Sequence, residues 1–164
     1  MNHHYEYVSE NIILQPLCEE DLENVRVLRN KLRNFFFTTN LISPEGQKKW
    51  YGSYLQDDHD IMFKVVRKTD SQDFIGAISL CGINMDLKTA EMGRVMVDKE
   101  KAPEKGIGTE VVKAVCGFAF DVLGMEKVYA EVLSDNLRAL RAYQKAGFQL
   151  LEEKGNISVV QITK

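Results

Sequence analysis

Lys105-Gly106-Ile107-Gly108-Thr109 places two glycines behind a lysine, at the point where an apolar strand gives way to a long apolar helix. Such a junction suits an anion. A helix N-terminus carries unpaired N–H groups and the positive end of the helix dipole. Glycine has no Cβ, so a phosphate can approach the backbone closely and the turn can take positive φ. The same residues also fit a plain strand-to-helix turn. A dinucleotide fold asks for a third glycine at position 111, where Val111 stands, and for a repeated βαβ pattern. A Walker loop asks for Gly-Lys-Ser/Thr. Neither pattern is here.

The elements around this turn follow from periodicity. Ala90–Asp98 reads as a strand, with Val95 and Val97 on one face and Met92 and Met96 on the other. Glu91 falls on the face of Gly93, Val95 and Val97. The helix Gly108–Leu123 follows, its apolar face written by Val111, Val115, Phe118 and Val122, with Gly124 as its stop. Before the turn, the spacing predicts a strand at Asn11–Pro16, a helix at Glu19–Arg33 and a second helix from the Ser43-Pro44 start through Leu55. Ile61–Lys68 and Phe74–Cys81 are strands joined by a short polar link, so they run antiparallel. After the long helix come a strand at Lys127–Leu133, a helix at Leu137–Ala146 and a hairpin of Phe148–Glu153 with Ile157–Thr163. Strand, helix, strand makes Ala90–Asp98 and Lys127–Leu133 a parallel pair. Phe35-Phe36-Phe37 has neither helical nor strand period and must be partly exposed, pack under a loop or line a pocket.

At 164 residues the chain is expected to form one domain, 1–164, with a proper core. A net charge of −3 argues against a nucleic-acid partner. No apolar run reaches the length of a membrane span, and no leader-like segment opens the chain. The cysteines Cys18, Cys81 and Cys116 are scattered and read as buried hydrophobes in a reducing compartment, which points to the cytoplasm. Three histidines, His3, His4 and His59, make no metal centre, so no metal is expected.

The order of elements resembles the GNAT superfamily of acyl-CoA-dependent N-acetyltransferases, and two motifs carry that resemblance. One is Val97 followed by Lys105-Gly106-Ile107-Gly108-Thr109. The other runs from Asn136 through Ala139, Leu140, Tyr143 and Lys145 to Gly147-Phe148. The resemblance covers essentially the whole chain. It implies an α/β (α+β) fold: a mixed, mostly antiparallel seven-stranded sheet flanked by helices, with the parallel central pair splayed apart. It implies acetyl-CoA as co-substrate, direct transfer to an amine, and a monomer or homodimer. One departure stands out. The family usually has Arg or Gln three residues before the first glycine, where this chain has Pro103, and Glu104 follows it. Pro103 offers no N–H, and Glu104 brings a like charge toward a pyrophosphate.

By the same resemblance, the CoA pyrophosphate rests on Lys105, Gly106, Ile107, Gly108 and Thr109. The pantetheine pairs with the backbone of Val95, Met96 and Val97. Asn136 and Tyr143, about two helical turns apart, face the cofactor. Tyr143 is the candidate acid for the departing thiolate, a modest one since a phenol near pKa ~10 faces a thiol near ~8.5. Asn136 also fits a plain helix N-cap. Glu91 is either a general base acting through water or an exposed strand carboxylate. Asp57, Asp58 and Asp60 either attract a cationic acceptor or form a solvated helix end.

Ile75-Gly76-Ala77-Ile78 and Ala90-Glu91-Met92-Gly93 are similar to the subgroup containing ribosomal-protein N-terminal, spermidine and nucleotide-amino-sugar acetyltransferases. Arg29, Asn30, Phe36 and Trp50 look most like the sugar branch and are the candidate acceptor contacts. The expected acceptor is a small-molecule primary amine, with a protein N-terminus or polyamine as the alternative. A domain that binds CoA without catalysis is the rival from another class.

Overall fold

The computed structural model describes residues 2–164. Its strands are β1 (Tyr7–Val8), β2 (Ile12–Pro16), β3 (Ile61–Arg67), β4 (Phe74–Asn84), β5 (Thr89–Val97), β6 (Lys127–Leu133), β7 (Gln149–Lys154) and β8 (Ile157–Thr163). They form one eight-stranded sheet in the order β1-β2-β3-β4-β5-β6-β8-β7. The β5–β6 pair is parallel and the other pairs are antiparallel. The sequence predicts seven strands. The eighth is β1, a two-residue edge pairing of Tyr7 with Leu14 and Val8 with Ile13, too short to leave a period in the sequence.

The helices are α1 (Leu22–Lys31), α2 (Pro44–Tyr54), α3 (Ile107–Gly117) and α4 (Leu137–Ala146). One face of the sheet packs on α3, through Phe63, Ile78, Val111, Val115 and Phe118. The other packs on α1 and α2, through Leu22, Val25, Leu28, Tyr51 and Tyr54. Helix α2 starts as its sequence asks. The Ser43 hydroxyl accepts from the Gly46 N–H at 3.0 Å, and Pro44 opens the first turn. Helix α3 passes into a π-helical turn over Phe118–Val122. That turn rotates the apolar stripe, so Val122, expected on the buried face, is exposed, while Leu123 packs on the core.

A bulge in β5 changes its faces. Ala77 pairs with Met96 and Ser79 with Gly93, so Arg94 and Val95 together oppose Ile78. Arg94 takes φ 49°, a conformation that costs a residue with a Cβ about 1–3 kcal/mol. The extra residue reverses the alternation. Met92 packs toward α3, but beyond the bulge Met96 packs toward α1 and α2, while Val95 and Val97 take over the α3 side. The sequence expectation that Met92 and Met96 share a face, and that Glu91 shares one with Val95 and Val97, is corrected by this bulge.

Gly76 lies against the far end of the same segment. A Cβ there would run into the carbonyl of Met96, which is backbone and cannot swing aside. Gly76→Ala should therefore lower the unfolding free energy by about 1–3 kcal/mol. The check is a urea titration in which the midpoint falls and the slope stays fixed.

Candidate active site

The site begins where β5 and β6 part. They pair at Thr89 with Lys127, Ala90 with Val128 and Glu91 with Tyr129, and beyond that the strands diverge. From Met92 to Val97 the β6-facing edge of β5 has no strand partner among the described residues. A cavity of about 810 Å3 fills the gap. Its walls are β5, the end of β6, the first turn of α3, the inward face of α4 and the Phe35–Phe37 loop.

The glycine turn closes one end. Gly106 is the N-cap of α3 with φ 91°, a conformation that glycine takes without strain. Around the Cβ position of Gly108 there is open space to 4 Å. The turn thus offers bare N–H groups and room for an anion beside them. Lys99, Lys105, Arg138, Arg141 and Lys145 ring this end. Burial pulls the Lys99 ammonium below its ordinary pKa, and the neighbouring Arg138 adds to that effect. Such a crowd of cations favours a multiply charged anion. Glu104 does not oppose it. Arg67 of β3 donates to both its oxygens, at 2.7 and 2.9 Å. The charge that looks unfavourable in the sequence is thus held in an ion pair.

Tyr143 lines the cavity from α4 and is buried, its ring against Phe148 at 5.8 Å. Burial pushes its phenol above the ordinary value. Asn136 lines the cavity too, and its side chain accepts from the Ala139 N–H at 3.2 Å, which makes it the N-cap of α4. Val95 and Val97 line the cavity, whereas the Met96 side chain is buried toward α1 and α2. Ile107 is buried under the turn.

The acceptor candidates divide. Phe36 lines the cavity. Arg29 lies behind it, 3.7 Å over the Phe36 ring, and donates to the Thr38 carbonyl at 2.8 Å. Asn30 clips Ile42 from both sides, donating to its carbonyl at 2.9 Å and accepting from its N–H at 2.8 Å. Trp50 stacks on Tyr54 at 5.3 Å. Arg29, Asn30 and Trp50 do not line the cavity. Glu91 does not either. It is half-buried, its carboxyl raised by burial and by the nearby Glu131 and lowered by Arg94 and a hydrogen bond from Tyr129.

Several lining residues carry no role in the sequence reading, some inside the second motif and some outside both. Arg138, Arg141 and Lys145 recur at three- and four-residue spacing, a helical stripe that the sequence does display. Glu131 sits on β6 at an ordinary outward position. Arg94 gives no signal, because nothing in Met-Gly-Arg-Val marks a bulge.

Comparison with known proteins agrees with this geometry. The profile described as an acetyltransferase (GNAT) domain matches residues 11–149. The chain belongs to the GNAT acetyltransferase family and is an acetyl-CoA-dependent N-acetyltransferase. It is 33% identical over 150 residues to the probable N-acetyltransferase YjcK of Bacillus subtilis, covering 85% of this chain and 81% of that protein. Its fold is similar to that of spermidine N-acetyltransferase from Vibrio cholerae in complex with CoA and spermine, with a TM-score of 0.81, 21% identity, and 93% and 95% of the two chains covered. It is also similar to FdhC, a nucleotide-linked sugar GNAT, with a TM-score of 0.83, 21% identity, and 98% and 91% covered.

The Asn30 clip ties α1 to the segment that follows the Phe35–Phe37 loop. Asn30→Ala leaves the Ile42 N–H unpaired, while its carbonyl keeps the Arg26 donor at 3.1 Å, and should cost about 1–3 kcal/mol in thermal or urea unfolding.

Proposed function

We propose that the cavity holds acetyl-CoA, and that its acetyl group passes directly to the primary amine of a small molecule entering beside Phe35–Phe37. The observation that carries this reading is the parting of β5 from β6 directly beside the glycine turn. It puts a strand edge with free backbone groups and an anion-binding helix N-terminus in one cavity. The pyrophosphate rests on the N–H groups of Lys105 to Thr109, with the surrounding lysines and arginines for the remaining phosphate charge. The pantetheine lies along Val95, Met96 and Val97, where a β5 N–H donates to the thioester carbonyl and so stabilises the charge that gathers there during transfer.

Tyr143 meets the sulfur. Its raised pKa keeps the proton on the phenol at working pH. Full transfer to a thiolate is then uphill, so the hydroxyl acts chiefly as a hydrogen-bond donor that eases departure of the thiol. Asn136 fixes the start of the helix that carries Tyr143. Glu91 takes the amine proton through water, its carboxyl raised by burial and by Glu131, which lines the cavity.

For the acceptor we favour a nucleotide-linked amino sugar. Phe35 and Phe37 are each about half exposed, at 52% and 53%, and line the cavity mouth, where they offer faces for a flat base. Arg29 and Asn30 act by holding this loop. A polyamine is the second reading, favoured by Glu131 on the cavity wall. An amine panel assayed by thiol release separates them. Turnover of spermidine, and of no amino sugar in free or nucleotide-linked form, would reverse the choice.

Two substitutions test the cofactor and the chemistry. Gly108→Val has room in the structure and should fold, yet its side chain fills the phosphate space. Calorimetry should show CoA binding weakened by about tenfold or more. Tyr143→Phe keeps the ring and removes the hydroxyl. It should lower kcat by about tenfold or more while CoA affinity stays within about twofold, measured where chemistry limits.

A further inference from the structure

Arg94 is an arginine in a left-handed conformation at the β5 bulge, and its guanidinium is held from two directions. Nη1 and Nη2 donate to the two carboxylate oxygens of Asp60 at 2.8 and 2.7 Å. The ring of Trp50 lies 5.3 Å away. Asp60 is buried, its side chain 8% exposed, whereas the Arg94 side chain keeps 31% of its surface. Arg94 lines the cavity; Asp60 and Trp50 do not.

This is the arrangement of a tool with its handle buried. A planar guanidinium has five N–H donors, and the fork onto Asp60 uses one from each Nη. The remaining donors have no acceptor among the described residues. Asp60 cancels most of the net charge and fixes the plane of the group, so what Arg94 presents is a set of oriented N–H donors rather than a free cation. Those donors are satisfied by oxygen: a ring hydroxyl or a phosphate. An aliphatic ammonium offers them nothing.

We propose that Arg94 is an acceptor-binding residue that selects ligands carrying oxygen groups close to the amine, held in place by Asp60 and Trp50. This rests on the acetyltransferase reading above and names the chemistry that the acceptor side of that site recognises. It places the acceptor against the bulge itself, next to the β5 backbone that receives the thioester. A side chain that only braced the strand would not need an exposed face on the cavity.

The chain has one tryptophan, Trp50, so its fluorescence reports on the Arg94 site directly. The experiment titrates CoA-loaded protein with UDP-glucosamine, with UDP, with glucosamine and with spermidine, and follows Trp50 emission. The variant is Asp60→Asn combined with Arg94→Gln, which removes both charges together and leaves no lone buried carboxylate. CoA affinity by calorimetry, together with the unfolding midpoint, shows that it is folded. A saturable change is expected with UDP-glucosamine. UDP alone giving it means oxygens of the nucleotide part are read; the free sugar giving it means sugar hydroxyls are read. The variant should bind CoA within about twofold and the responding oxygen ligand about tenfold or more weakly. The proposal is overturned if no oxygen ligand changes the emission, if the variant binds the ligand as the unaltered protein does, or if spermidine alone responds. Loss of acetyl transfer with this binding pattern intact would instead count against the acetyltransferase reading.

Discussion

The fold turns on a single constraint: β5 must be paired with β4 throughout and with β6 only at its start. Backbone N–H and C=O groups left without partners are costly when buried, so a strand abandoned by its neighbour must face water or a ligand. The break falls after Glu91 and Tyr129, and the bulge at Arg94 follows within three residues. The bulge bends β5 away and reverses its faces, which brings Val95 and Val97 to the cavity and sends Met96 into the core beneath α1 and α2. Crossover helix α3 then starts beside the gap, because a parallel pair needs such a crossover and its N-terminus must lie beyond the end of β5. Strand edge and helix end are therefore near each other by topology.

Electrostatics completes the arrangement at both ends of the cavity. At the α3 end, cations from the segment after β5, the turn and α4 converge, and Glu104, which precedes the turn in the chain, is occupied by Arg67. At the other end the charges are more evenly matched. Asp60 answers Arg94, and the Glu91 carboxyl is raised by burial and by Glu131. A polyanion is thus favoured at one end and a group of mixed polarity at the other. That division agrees with one ligand that brings phosphates and another that brings an amine.

Much of this architecture is legible in the amino-acid sequence. Periodicity places the main strands and helices, and Ser43-Pro44, Gly106 and Gly147 mark turns and ends, because those residue types impose local backbone geometry wherever they occur. What stays hidden is nonlocal. The bulge depends on how β4 and β5 pair, and Met-Gly-Arg-Val alternates like any strand. The π-helical turn at Phe118 leaves the apolar count unchanged and moves only its phase, so Val122 reads as a core residue. Arg29 and Asn30 read as ligand contacts because the pair, with the aromatic loop, resembles the sugar branch. Their partners, Thr38 and Ile42, come from the loop folding back, which no spacing reports. Arg67 and Glu104 are far apart in sequence, so a local reading finds an unfavourable charge where the fold makes an ion pair.

The central claim is that the free edge of β5 receives the pantetheine arm as an added strand. Hydrogen–deuterium exchange of the β5 amides with and without CoA tests it most directly. Exchange in the segment Val95–Val97 should slow markedly when CoA binds, together with that of the Gly106–Thr109 turn. Tight CoA binding that protected the turn but left exchange at Val95–Val97 unchanged would contradict the account.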